Sequence, residues 1–247
     1  MAPPRLLRVL CFGDSLTQGF CDMGLTSHPY SQTLLARLEA AFPETVVEVV
    51  TNGVPGDVVS GPAWRRRLVN EFERRRYDWM IILGGTNDLA SRIPVKVISQ
   101  ALTDIWDLAL LKGSKVLALT VPECQVRVDW LDENRVSLNR HILNHQQKNF
   151  HAFDLRPKIP FYGISPDDRR LYWDDGLHLT PAGYDWMGGH VADAFVAVLS
   201  AAAAPQAPTF LQRAAKGRAD DGVLEEEAGS PRVISRGYVV VRKRDLE

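Results

Sequence analysis

The strongest constraint on this chain is a repeated alternation. Short runs rich in Val, Ile and Leu end in glycine, asparagine or proline, and a stretch with helical spacing follows each of the first four. Residues 7–12 close on Gly13-Asp14, 46–50 run on to Asn52-Gly53, 78–83 close on Gly84-Gly85, and 116–121 are stopped by Pro122. A fifth, shorter run covers 150–155. Between them, Tyr30, Leu34, Leu35, Leu38 and Phe42 predict a helix over 29–41, with Ser27 or His28 as its cap and Pro29 in its first turn. Trp64, Leu68 and Phe72 recur every four residues through an Arg-rich helix. Further helices are expected over 95–111, ended by Gly113, over 131–147 and over 181–200. Several runs lack alternation, as strands buried on both faces do, and strands that alternate with helices imply a mostly parallel sheet. The expected architecture is a three-layer α/β/α sandwich around a mostly parallel sheet of about five strands. Ligands in such sheets sit beyond the carboxyl ends of the strands, where the strand order reverses.

With 247 residues the chain is long enough for one large domain, expected over 1–200. Residues 201–247 read as a linker and C-terminal tail: 201–208 are rich in Ala and Pro, 209–216 suit a short helix, 220–227 are acidic and 232–244 basic. Residues 238–241 are expected to add a strand to a sheet edge or to another subunit, which would make a homo-oligomer. Charge excludes little but points away from two partners. The 29 Lys plus Arg balance 30 Asp plus Glu, so no overall field favours nucleic acid or anionic lipid. The run of arginines from Arg65 to Arg76 reads as the solvated face of the Trp64 helix, diluted by Glu71 and Glu73. The apolar stretch 191–204, broken by Asp193 and Ser200, is too short and too polar to form a membrane span. No secretory signature precedes residue 12, so a cytoplasmic location is expected. Cys11, Cys21 and Cys124 match no zinc spacing and read as reduced, inert residues.

The chemistry-bearing residues gather where the alternation says to look. The first strand ends in Gly13-Asp14-Ser15-Leu16, the second in Asn52-Gly53-Val54-Pro55-Gly56-Asp57, and the third in Gly84-Gly85-Thr86-Asn87-Asp88. Before the last helix comes Asp174-Asp175-Gly176-Leu177-His178. A hydroxyl, glycine amides, a side-chain amide, a carboxylate and an imidazole are the parts acyl transfer needs. Thr17 stands where a Gly-x-Ser-x-Gly elbow would have its second glycine, which argues against the α/β-hydrolase fold.

These four segments, in this order over about residues 6–200, resemble the four blocks of the GDSL, or SGNH, hydrolases, a family of esterases and acylhydrolases. The resemblance implies a flavodoxin-like sandwich. Residue by residue, it makes Ser15 the nucleophile, with Asp175 and His178 completing a triad, and makes Gly56, Asn87 and the Ser15 backbone N–H the oxyanion hole. The chemistry agrees, because a serine hydroxyl needs an adjacent base and an imidazole can take that proton at neutral pH. A carboxylate three residues before His178 on a tight loop can hold Nδ1–H and leave Nε2 toward Ser15. Asp174, four residues before it, is the rival. Asp14 and Asp88 read as acceptors for loop amides, and His28 as part of a helix start. The expected activity is hydrolysis of small to medium acyl or aryl carboxylic esters through an acyl-enzyme, on a small-molecule substrate. A thioesterase or lysophospholipase would use the same triad. A non-catalytic flavodoxin-like binding protein is the rival of another class, opposed by the lack of a phosphate-binding glycine motif. Trp130, Tyr162 and Trp173, in connections that border such a site, are expected to form the substrate pocket. His141, His145, His151 and His190 fall away from the motif loops, and neither a metal nor a cofactor is expected.

Overall fold

In a computed structural model, residues 5–203, 223–225 and 240–242 are described. In chain order the first elements are β1 (Arg5–Gly13), α1 (Ser15–Gln18), β2 (Phe20–Cys21), β3 (Thr26–Ser27), α2 (Ser31–Ala41), β4 (Thr45–Gly53), α3 (Pro62–Arg74) and β5 (Trp79–Leu83). They are followed by α4 (Thr86–Ala90), α5 (Val95–Leu111), β6 (Lys115–Leu119), α6 (Asp129–Asn144), β7 (Phe150–Phe153), α7 (Pro166–Tyr172) and α8 (Pro181–Ala203). Five strands form one parallel sheet in the order β4-β1-β5-β6-β7. Counted among the sheet strands alone this is 2-1-3-4-5, the flavodoxin-like order, and it reverses between β1 and β5. Gly13 lies opposite both Gly53 and Leu83, so three strands end level and their loops emerge together at that switch point.

Strand residues alternate between two buried faces. Val9, Cys11, Ile81, Leu83 and Leu117 pack with Leu34 and Leu38 of α2 and with Tyr184, Val191 and Phe195 of α8. Leu10, Phe12, Met80, Ile82 and Val116 pack on the opposite side with Trp64 and Leu68 of α3, Leu102 and Trp106 of α5 and Leu138 of α6. β5 is buried along its whole length, which explains why its sequence shows no alternation.

The structure revises several boundaries. The first long helix begins at Ser31, and no side chain caps it. Ser27 donates instead to the Gln18 carbonyl at 2.6 Å, and His28 pairs with Asp185 at 2.9 Å, so both residues tie loops together. α6 stops at Asn144, and α8 continues through the start of the expected linker to Ala203. The chain divides into two units, residues 1–200 and 201–247. Within the second, β8 (Val223–Glu225) and β9 (Val240–Arg242) pair antiparallel. Val240 and Val241 of the expected tail strand lie in β9, while Tyr238, Val239 and the expected helix over 209–216 lie outside the described residues. Among the described residues no helix is long and apolar enough to cross a membrane.

Candidate active site

Ser15 is the first residue of α1, immediately beyond the end of β1. The Asp14 carboxylate accepts the Leu16 N–H at 3.0 Å, and Gly19, at φ 80°, closes the short helix. Ser15 Oγ lies 2.9 Å from His178 Nε2, and His178 Nδ1 lies 2.7 Å from an Asp175 carboxylate oxygen. The other Asp175 oxygen accepts the backbone N–H groups of Leu177 at 2.9 Å and His178 at 2.8 Å. Gly176 makes this loop turn: its φ is 84°, and a Cβ there would lie 2.3 Å from Gln125 Oε1. Burial alone would raise the Asp175 pKa, but the bonds from the His178 ring and the two backbone amides outweigh it and bring it below the ordinary value. Asp174 faces elsewhere and accepts the Asp22 N–H at 2.7 Å. A carboxylate so placed holds Nδ1 as the protonated nitrogen, which leaves Nε2 able to accept the serine proton. The Phe20 ring, unremarked in the sequence, lies against the His178 ring with centroids 4.5 Å apart.

Beneath Ser15 lies a buried polar cluster. Asp14 Oδ2, Thr17 Oγ1 and the Tyr30 hydroxyl have no partner among the described residues. Burial pushes the Asp14 carboxyl up to about 7; the neighbouring Asp88 adds to the rise, while the Leu16 N–H and Arg67 oppose it. The Cys11 thiol in the same core is pushed up to about 12, also by burial, and is inert as a nucleophile.

Gly56 and Asn87 come from the next two strand ends. Gly56 has a left-handed φ of 73°, and a Cβ built on it would meet nothing within 4 Å, so the backbone conformation is what requires glycine there. Asn87 stands in α4 and donates one amide N–H to the Asp57 carbonyl at 2.9 Å; an NH₂ group has a second to offer. The buried Asp88 carboxylate accepts the N–H groups of Val59 at 2.9 Å and Ser60 at 3.0 Å.

The Arg-rich helix departs from its expected role at two positions. Arg65 and Arg66 are exposed, but the Arg67 side chain is only 17% exposed. It donates to Asp57 Oδ2 at 2.8 Å, to the Asn52 carbonyl at 3.2 Å and side-chain oxygen at 2.5 Å, and to the Gly13 carbonyl at 2.9 Å. Its guanidinium also lies over the Phe12 ring at 4.4 Å and the Trp64 ring at 5.1 Å. Glu71 is buried as well and accepts from Asn52 Nδ2 at 2.8 Å and the Tyr77 hydroxyl at 2.7 Å. Residues 64, 67, 68 and 71 share one helical face, so helix arithmetic already places both charges on the buried stripe.

A cavity of about 320 Å³ opens beside Asn87 and Asp175. Its walls are mainly apolar, with Leu89 and Ala90 of α4, Val121, Val126, and Trp130 and Leu131 of α6. Trp130 thus stands where a pocket wall was expected, with the Arg92 guanidinium 4.5 Å from its ring. Tyr162 and Trp173 do not line this cavity. The Tyr162 hydroxyl donates to the Gln125 carbonyl, and its ring lies under Arg127 at 5.2 Å. Trp173 is buried against Phe161, ring centroids 5.1 Å apart, and borders a second hollow with Arg169 and Arg170. Arg135, which nothing in the sequence singled out, meets Cys124 in the cavity wall: the buried guanidinium donates to Cys124 Sγ at 3.1 Å and to Asp132 at 2.7 Å. All three cysteines are free. Among the described residues no group of three or more His, Cys, Asp or Glu side chains is placed to hold a metal ion. His141 and His145 instead pack on Trp106, and His151 on Trp79.

Residues 11–186 match the model of the GDSL-like Lipase/Acylhydrolase family. No curated protein sequence matches the chain. Solved structures share its fold. A lipase/acylhydrolase from Enterococcus faecalis is 23% identical with a TM-score of 0.62, over 77% of this chain and 96% of the other. A carbohydrate esterase family 3 protein from Talaromyces cellulolyticus is 14% identical, TM-score 0.61, over 78% and 98%. A variant of an acetyl xylan esterase from Geobacillus stearothermophilus is 18% identical, TM-score 0.58, over 77% and 93%. At these identities the likeness is one of fold.

Proposed function

The chain belongs to the GDSL-like lipase/acylhydrolase family, whose chemistry is carboxylic ester hydrolysis, and on that premise we propose that it is a serine esterase working through an acyl-enzyme. Ser15 Oγ attacks the ester carbonyl while its proton passes to His178 Nε2. The carbonyl oxygen, now negative, is received by the N–H groups of Ser15 and Gly56 and by the Asn87 amide. The intermediate collapses, the C–O bond to the alcohol breaks, and His178 returns the proton to the departing oxygen. Water then attacks the acyl-serine, giving its proton to the same imidazole, and the acid leaves as Ser15 is restored. The observation that carries this reading is the continuous chain of hydrogen bonds from Ser15 Oγ through His178 to Asp175, at 2.9 and 2.7 Å.

A size for the substrate is supported by the cavity beside Asn87. Its 320 Å³ corresponds to about ten water-sized groups, which suits a small to medium acyl or aryl chain. Trp130 and the aliphatic walls favour an apolar group there. The fold relatives named above are a lipase/acylhydrolase, a carbohydrate esterase and an acetyl xylan esterase variant. Thioesters and lysophospholipids would meet the same triad.

The test is hydrolysis of p-nitrophenyl esters from acetyl to palmitoyl by the wild type and by Ser15→Ala. The variant should lose about 10³–10⁶-fold in kcat with the fold intact, and a fluorophosphonate should label Ser15 in the wild type alone. The preferred chain length should be short to medium. Turnover retained by Ser15→Ala would reassign the nucleophile.

A further inference from the structure

We propose that Arg67 is a positioning residue for the oxyanion donors, holding the 54–60 loop in register with the nucleophile through Asp57. The proposal rests on the reading of Gly56 and Asn87 as those donors. The space beside the Gly56 Cα is empty to 4 Å, and the turn that contains this glycine is closed by the Asp57 N–H on the Val54 carbonyl at 3.2 Å. The Gly56 N–H direction therefore depends on bonds made by its neighbours. On one side, Val54 N–H reaches the Gly13 carbonyl at 3.2 Å. On the other, the Asp57 carboxylate accepts from Arg67 at 2.8 Å and from the Val58 N–H at 3.0 Å, and its carbonyl accepts from Asn87 at 2.9 Å. Both donors are thus tied to Asp57, and Arg67 is the side chain that ties the Asp57 carboxylate to the ends of β1 and β4.

The guanidinium is fitted for this in a way no other side chain matches. Its donors diverge in one plane, and here they reach three segments at once: the Gly13 carbonyl next to Asp14-Ser15, both oxygens of Asn52 at the end of β4, and Asp57. The rings of Phe12 and Trp64, in contact with each other at 5.3 Å, pack against the guanidinium at 4.4 and 5.1 Å. A lysine would bring a point charge with three donors at one nitrogen, without the planar fork that spans the three segments. Since a shift of about 1 Å in a reacting group can cost about 10²-fold in rate, a loop released by this much matters to catalysis before it matters to folding.

Arg67→Met keeps the length and removes every donor, Arg67→Lys keeps the charge, and Arg66→Met is the exposed control. Arg67→Met should lower kcat about 10²-fold with KM within about 3-fold, and speed amide hydrogen exchange over 54–60 but not over 175–178. Arg67→Lys should fall between it and the wild type, and Arg66→Met should change neither reading. If Arg67→Met does not fold, Arg67→Lys and Asp57→Asn carry the same two measurements. Unchanged kcat, or exchange that rises throughout the chain, would overturn the proposal. A wild type without Ser15-dependent turnover would sink the esterase reading instead. Exchange would then decide alone, with faster exchange over 54–60 upholding the positioning and unchanged exchange overturning it.

Discussion

On the imidazole side of the site, the Asp175 carboxylate is satisfied by groups no more than three residues away, the N–H groups of Leu177 and His178 and the His178 ring. On the proposed oxyanion side, Gly56 and Asn87 stand beside Arg67, Asp57 and Asp88, and the bond from Asn87 to Asp57 spans 30 residues. One half is a single loop whose carboxylate is satisfied from within, tied from outside by the Gln125 N–H on the Gly176 carbonyl at 2.6 Å. The other is a junction of three strand ends bolted from behind by buried charges. The contrast follows from what each half must do: the imidazole needs one fixed ring orientation, which a tight turn can supply, whereas an oxyanion needs donors from separate loops converging on one point.

The largest test of that contrast compares the two halves directly. His178→Ala removes the proposed base and should cost about 10³–10⁶-fold in kcat. Asn87→Ala removes one donor of several and also the bond to Asp57, and should cost about 10²–10³-fold. Both are read with p-nitrophenyl acetate at saturation. An Asn87→Ala loss as large as that of His178→Ala would mean that the oxyanion side collapses when one bolt is drawn, and that it is less redundant than its many bonds imply.

Between the halves, two carboxylates titrate in opposite senses. Asp175 sits below its ordinary value, so its contribution to stability is present above the unfolded pKa of about 3.9 and is lost as pH falls through the folded value. Asp14 is raised to about 7, so the folded protein keeps a proton that the unfolded chain has released. Its stabilising share is complete below about pH 4 and is lost as pH rises through about 7. Asp14→Asn retains an acceptor for the Leu16 N–H and removes that loss. Its urea midpoint should gain on the wild type between pH 5 and pH 8. Midpoints that run parallel across that range would show Asp14 already ionised in the folded state.

The same division explains what could be read from residue order. The five sheet strands and the long helices were legible because their periods extend over many residues; α5 occupies the expected 95–111. α1 and α4, with four and five residues, are too short to show a period. The Asp175–His178 spacing is local, so residue order alone shows that one tight loop can bring the two side chains together. Arg67 and Glu71 were hidden by their own charge: in a run of arginines they read as solvated, and only the far partners Asp57, Asn52 and Tyr77 make their burial affordable. Trp173 shows the converse, an aromatic in a connection that packs into the core rather than lining the cavity beside Asn87.

The smallest effect probes a remote, water-exposed bond on the imidazole side. Asp174 accepts the Asp22 N–H at 2.7 Å, at a hairpin tip where Asp22 and Met23 hold left-handed φ values of 53° and 51°. That hairpin carries Phe20, whose ring lies on His178. Asp174→Ala should nonetheless cost under about 1 kcal/mol, since the bond is exposed to water. Phe20 keeps its place by other means: its carbonyl accepts the Tyr184 hydroxyl at 2.9 Å, and its strand pairs with Thr26–Ser27. Turnover should change by less than about 5-fold, a small fraction of what one oxyanion donor contributes. A loss approaching that of Asn87→Ala would show that the imidazole loop, too, depends on a distant partner, and the two halves would then differ in degree rather than in kind.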